Sequence, residues 1–161
     1  MKGITEVREM KYRFADSKDI DLLVQLRLEF LEVNENNNQY EVIKENCYTY
    51  FRDSLETGLC VVVLAEEDDR IAGTAIVFSY QSVPSSFNVT GRNTYITSMY
   101  VKKEFRKKGI ATTMLQQLID NAKKKGYLII MLNASEMGKG LYEKIGFTEI
   151  QNGMILDLRR L

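Results

Sequence analysis

The chain has 161 residues, 45% apolar and 27% charged, which suits one globular domain with a sizeable core and excludes disorder, collagen and coiled coil. Its 22 Lys and Arg balance 22 Asp and Glu, and it has no histidine. Ser-His-Asp and Cys-His catalysis and His-ligated zinc are therefore excluded, and Cys47 and Cys60 are too few for a four-cysteine site, so no metal is expected.

Residues 1–9 read as a tail and 10–161 as a single domain. Tyr12 and Phe14 alternate with charges, predicting a strand near 10–15. Asp16 or Ser17 then caps a helix, with Asp19 in its first turn and Ile20, Leu23, Val24, Phe30 and Leu31 at helical spacing. The run Asn34 to Asn38 breaks it. Val42 or Ile43, Cys47, Tyr50, Phe51 and Leu55 mark a second helix, ended by Gly58. Leu59–Glu66 and Ile71–Tyr80 read as strands around a polar turn. Residues 81–92 form a long polar loop, a kind that often carries function.

Asn93–Val101 is a further strand, and Gly109–Lys125 an amphipathic helix with Ile110, Met114, Leu118 and Ala122 at steps of four. Tyr127–Leu132 is a strand. Residues 134–145 form a short helix with Met137, Leu141 and Ile145 on one face. Phe147–Ile150 and Gly153–Leu158 read as a closing antiparallel pair turning at Asn152-Gly153. The order β-α-α-β-β-β-α-β-α-β-β predicts an α/β (α+β) fold. Its mixed, mostly antiparallel central sheet has about seven strands and helices on both faces. No apolar run approaches membrane-spanning length and the N-terminus has no secretory pattern. The cysteines read as thiols in a reducing, cytoplasmic setting, with a single disulfide as the alternative.

The segment Val101 to Thr113, VKKEFRKKGIATT, carries the most chemistry. A strand enters a basic loop, then a glycine, then a helix. Free N–H groups and the partial positive charge of a helix start suit an anion. Gly109 permits close approach, and Arg106, Lys107 and Lys108 add full charges. The group best served is a phosphate or pyrophosphate, although neither a P-loop nor a GxGxxG fingerprint is present. The short basic cluster, with little interleaved aromatic residue, argues against a nucleic-acid partner.

Arg106-x-x-Gly109-x-Ala111 resembles the acetyl-CoA motif R/Q-x-x-G-x-G/A of the GCN5-related N-acetyltransferase (GNAT) superfamily. A second copy, Arg70-Ile-Ala-Gly73-Thr-Ala75, starts no helix and is rejected as a phosphate loop. Leu141-Tyr142-Glu143-Lys144-Ile145-Gly146-Phe147 resembles that superfamily's L-Y-x-x-x-G-F segment, and the element order is similar over residues 10–158.

The resemblance implies an acetyl-CoA-dependent N-acetyltransferase. A primary amine of a small molecule or peptide would attack the thioester directly in a ternary complex. It implies a bulge near Met99, Tyr100 and Val101 whose backbone holds the pantetheine arm. Arg106, Lys107, Lys108, Gly109, Ile110, Ala111 and Thr112 would hold the pyrophosphate, and Tyr142 would protonate the departing thiolate. Ser135 stands where the family often has asparagine, and Asn133 is the substitute. The family's glutamate bases fall at Tyr95 and Ile130, so no side-chain base is identified. A water relay touching Ser98, Tyr95 or a carboxylate such as Glu29 or Glu32 on the first helix is the expected route for the amine proton.

Residues 19–56 hold nine acids against three bases, a net of minus six, which favours a cationic amine if that surface faces the acceptor. Two solvated helix faces are the competing reading. Residues 99–127 hold eight bases against two acids, a net of plus six. The missing base also supports a different class, a non-catalytic acyl-CoA-binding domain on the same fold. No membrane partner is expected, and a homodimer is left open.

Overall fold

The structure is a computed structural model that describes residues 9–150 together with Leu156, Asp157 and Arg159. The described residues form eleven elements. Strand β1 is Met10–Phe14, followed by a 3-10 turn at Ser17–Asp19 and helices α1, Ile20–Phe30, and α2, Tyr40–Leu55. Strands β2, Cys60–Glu67, β3, Arg70–Gln81, and β4, Arg92–Val101, form a meander. A second 3-10 turn, Lys103–Phe105, leads to helix α3, Ile110–Lys124, strand β5, Ile130–Leu132, and helix α4, Glu136–Ile145.

The five strands lie in the order β1-β2-β3-β4-β5. Pairs from β1 through β4 are antiparallel, and β4 with β5 is parallel, because the α3 crossover returns the chain in the same direction. The hairpin between β2 and β3 turns on Asp68 and Asp69, both with positive φ (51° and 60°), matching the strand twist. The closing pair expected at 147–158 is only partly covered. Residues 147–150 are not in a strand, and 151–155 and 158 lie outside the described residues, as do 1–8 of the expected tail.

Alternation along β2 sorts the core into two layers. Val62 and Leu64 face α1 and α2, joining Leu23, Val24, Leu26, Leu28 and Phe51. Val63 and Ala65 face α3, joining Ile110, Met114, Leu115, Leu118 and Tyr142. Both faces of the sheet are thus covered, which is why β2 reads as a continuous apolar run. Removing one such side chain, as in Leu118→Ala, costs about 2–5 kcal/mol at a well-packed site.

Local chemistry sets the element ends. Asp16 and Asp19 form a capping box before α1, with Asp16 accepting from the Lys18 N–H at 2.8 Å and Asp19 from the Asp16 N–H at 2.9 Å. Arg13 of β1 clamps Asp19 through two nitrogens at 2.7 and 2.8 Å and reaches Glu66 at 2.8 Å, tying β1, β2 and α1 together. Helix α1 stops at Phe30, before the asparagine run, and Leu31 is exposed. Strand β5 occupies only the last three residues of the expected 127–132. Met137, expected on the buried face of α4, is 82% exposed, and Leu141, Tyr142 and Ile145 take that face. Both cysteines are free thiols.

Candidate functional site

The site begins where the sheet opens. Strand β5 pairs with β4 only at Thr94, Tyr95 and Ile96. From Thr97 to Val101, β4 has no strand partner on that side among the described residues, so its polar backbone edge is available to a ligand. At the same point the β3 register slips. Ile76 faces Ser98 while Val77 faces Ile96, leaving Thr97 as the extra residue of a bulge. The bulge expected near Met99–Val101 therefore lies at Thr97. Met99, Tyr100 and Val101 pair regularly with Ala75, Thr74 and Gly73. Gly73 keeps that stretch tight, because a β-carbon there would stand 2.7 Å from the Tyr100 carbonyl oxygen. The second R-x-x-G-x-A copy is thus interior β3.

The basic loop is anchored by Phe105, only 3% exposed. Arg70 and Lys108 stand over its ring at 5.3 and 5.2 Å and flank the buried carboxylate of Glu67 at 3.8 and 3.7 Å. Arg106 staples the loop to the end of β4, its Nε donating to the Val101 carbonyl at 3.0 Å. Gly109, at φ 78°, opens α3 with no side-chain cap. The first backbone bond of the helix runs from Thr113 N–H to the Gly109 carbonyl, so Ile110, Ala111 and Thr112 keep free N–H groups. No acid stands in that turn, and the space where a Gly109 β-carbon would project is open to 4 Å. An open, cationic, uncapped helix start fits the diphosphate of a CoA thioester. The adjoining β4 edge fits an amide-bearing arm.

Helix α4 brings Tyr142 into the layer shared with α3. Ser135 caps the helix, its hydroxyl accepting from the Gly138 N–H at 3.2 Å, and exposed Asn133 lies just before it. Tyr142 is 8% exposed and meets Phe147 edge-to-face at 5.7 Å between ring centres. Burial pushes its phenol above the ordinary tyrosine value, so it is a protonated donor at neutral pH.

The opposite face of β4 holds the expected acceptor residues. Tyr95 packs against Phe78 at 5.4 Å. Ser98 is 3% exposed, and its buried hydroxyl has no hydrogen-bond partner among the described residues. Glu29 of α1 accepts from the Tyr100 hydroxyl at 2.7 Å and pairs with Lys102 at 3.6 Å. Burial and that bond push Tyr100 up to about 12. The structure thus gives Glu29 to the end of β4 and leaves Glu32 exposed beyond α1.

Two hollows flank α1. A groove of about 720 Å³ is edged by Asp21, Glu29, Glu35, Tyr40 and Tyr48. A cavity of about 420 Å³ lies between α1, α2 and the sheet, with the bulge residue Thr97 in its wall and Arg27 as its one charged side chain among the described residues. Neither Thr97 nor Arg27 stands out in the sequence. The available signal is only that Arg27 is the sole base of α1, amid acids.

A family model described as the acetyltransferase (GNAT) family matches residues 21–147. Among solved structures, a predicted acetyltransferase with acetyl-CoA from Clostridium acetobutylicum is 36% identical with a TM-score of 0.85, covering 95% of this chain and 99% of its own. A GCN5-related N-acetyltransferase from Ralstonia eutropha JMP134 is 18% identical with a TM-score of 0.79, covering 92% and 99%. An aminoglycoside N-acetyltransferase in complex with CoA is 14% identical with a TM-score of 0.76, covering 97% and 99%. At those identities the last two show shared fold alone. No curated protein matches the sequence. By the family match over most of its length, the chain belongs to the GNAT acetyltransferase family.

Proposed function

We propose that the protein is an acetyl-CoA-dependent N-acetyltransferase that acetylates a primary amine by direct attack in a ternary complex. The observation that carries this reading is the continuity of three features. The edge of β4 past Ile96, which no described strand pairs, runs into the Arg106–Lys108 loop and then into an acid-free, uncapped helix start. Acetyl-CoA supplies an activated acetyl thioester. The chain's own groups supply the rest. Arg106, Lys107 and the N–H groups of Gly109 to Thr112 bind the diphosphate, with Lys108 shared with Glu67. The β4 backbone beyond Thr97 aligns the arm and offers N–H donors where negative charge develops. Asn133 and Ser135 border the mouth where β5 ends.

Tyr142 holds a proton at its hydroxyl for the leaving sulfur, and burial keeps it there. The chain has no imidazole, and Glu29 is engaged by Tyr100 and Lys102, so the amine proton is left to solvent. It leaves through water touching Ser98 and Tyr95.

The test is thiol release from acetyl-CoA with an amine panel, beside calorimetric titration of acetyl-CoA. Turnover that falls about 10²–10⁴-fold in Tyr142→Phe, with binding kept within twofold, supports the assignment. Binding without turnover, and no effect of Tyr142→Phe, identifies instead a non-catalytic acyl-CoA-binding domain.

A further inference from the structure

The cavity beside the bulge constrains the acceptor more than the acidic helices do. Its walls are largely apolar or aromatic, with Leu31, Ile43, Phe51, Ile76 and Phe78, while Asn46 and Thr97 add polar groups. Its volume, about 420 Å³, sits at the small end of the range for small-molecule sites, roughly 300–1,000 Å³. Arg27 enters this apolar setting with no ion pair to any described carboxylate. Its only hydrogen bond among the described residues, to the Thr97 carbonyl, is long at 3.5 Å, and the Phe30 ring lies 5.3 Å away. Burial pushes its guanidinium below the ordinary arginine value, yet arginine remains charged in proteins.

A half-buried cation with no carboxylate partner among the described residues, in a pocket wall, calls for an anion with a planar fork-matching head, which a carboxylate supplies. A single positive charge balances a monoanion and leaves a phosphate dianion half neutralised. The reacting end is set by the sheet. Thr97 lies in the cavity wall, and Ser98, whose register partner Ile76 also lines it, holds a buried hydroxyl that no described group satisfies. The nearby acids are otherwise engaged or lie elsewhere. Glu29 is bound to Tyr100 and Lys102, and Asp21 and Glu35 edge the other groove.

From this arrangement we infer that the acceptor is a small primary amine with an apolar body and a carboxylate, such as a free amino acid with an aryl or branched-alkyl side chain. Arg27 takes the carboxylate, the apolar walls take the side chain, and the amine lies at the Thr97–Ser98 bulge. This rests on the acetyltransferase reading. In the transfer, the amine lone pair forms the N–C bond to the acetyl carbon, and the C–S bond breaks with its electron pair staying on sulfur. The nitrogen gives one proton to water, and the sulfur takes one from Tyr142, which recovers it from solvent.

The test compares kcat/KM of the wild-type enzyme for L-phenylalanine and L-leucine, for 2-phenylethylamine and isoamylamine, and for spermidine and an aminoglycoside. The expected result is a preference of at least about tenfold for each amino acid over its decarboxylated counterpart, with the polycations slowest. In Arg27→Met that preference falls to about one, with melting temperature and acetyl-CoA binding as the check that the variant is folded. Polycations as best substrates, equal rates with and without the carboxylate, or an unchanged preference in Arg27→Met overturns the inference and leaves the acetyltransferase reading standing. Failure of wild type to bind acetyl-CoA or to acetylate any amine overturns both.

Discussion

Single side chains carry the chemistry, and Tyr142 is the clearest case. Tyr142→Phe removes one oxygen from a ring that keeps its contact with Phe147, so its effect belongs to proton donation rather than packing. Because burial raises the phenol's pKa, Tyr142 stays protonated as pH rises, and kcat should show no loss from this group below about pH 10. A pH–kcat profile checks this. A second residue-scale prediction concerns stability. The Arg13 hydrogen bond holds Asp19's carboxyl below its ordinary range. A depressed folded-state pKa gives stability that is present above the unfolded value, near ~3.9, and lost as pH falls through the folded one. Asp19→Asn should cost about 1–2 kcal/mol at pH 7, through the lost cap and clamp, and this gap should close below pH 4 in urea titrations. Tyr142 is legible in the sequence because a motif surrounds it. Arg27 and Thr97 are not. Their meaning comes from what lies across from them in space, some 70 residues apart in the chain.

Elements were legible where periodicity was strong and less so where context decides. The α3 stripe of Ile110, Met114, Leu118 and Ala122 is buried as its spacing requires, with Leu115 beside it. The position of the bulge is not encoded in β4 alone. Gly73 on β3 holds the Met99–Val101 register tight, so the slip falls at Thr97. Strand β5 is shorter than its apolar run, since pairing with β4 begins only at Thr94–Ile130 and leaves residues 127–129 outside it. The long polar loop expected at 81–92 spans 82–91, between β3 and β4, and folds around two buried asparagines. Asn88 Nδ2 donates to the Arg92 carbonyl at 3.1 Å and to Asn93 Oδ1 at 3.2 Å, and its Oδ1 accepts from Thr90 at 2.9 Å. Asn93 in turn donates to Ser82 and the Gly91 carbonyl, both at 2.8 Å. Asn88→Ala leaves buried partners unsatisfied and should cost about 1–3 kcal/mol. Cleavage within 82–91 in limited proteolysis, at least tenfold faster than in wild type, is the expected readout.

For the whole molecule, zero net charge is a cancellation. The minus six of residues 19–56 is spread over α1, α2 and the segments that flank and join them, against one face of the sheet, and the plus six of residues 99–127 belongs to the loop and α3 on the other. The sequence makes the two sums visible, but only the sheet shows that they divide between its faces and meet where Lys102 pairs with Glu29. The basic side should attract a polyanionic donor through solvent-exposed charge, which salt screens. Raising ionic strength from 50 to 500 mM should weaken acetyl-CoA binding several-fold, measured as Kd.

The central claim, that the start of α3 holds the donor's phosphates, has a direct measurement in Thr112→Glu. Thr112 is exposed in the first turn of α3, where a carboxylate favours the helix dipole by about 0.3–1 kcal/mol and opposes a bound phosphate. Calorimetric titration of acetyl-CoA into wild type and this variant should show one-to-one binding by wild type. The variant, melting at or above the wild-type temperature, should bind at least about thirtyfold more weakly. Equal affinity in the two proteins, or no binding by wild type, would contradict the assignment.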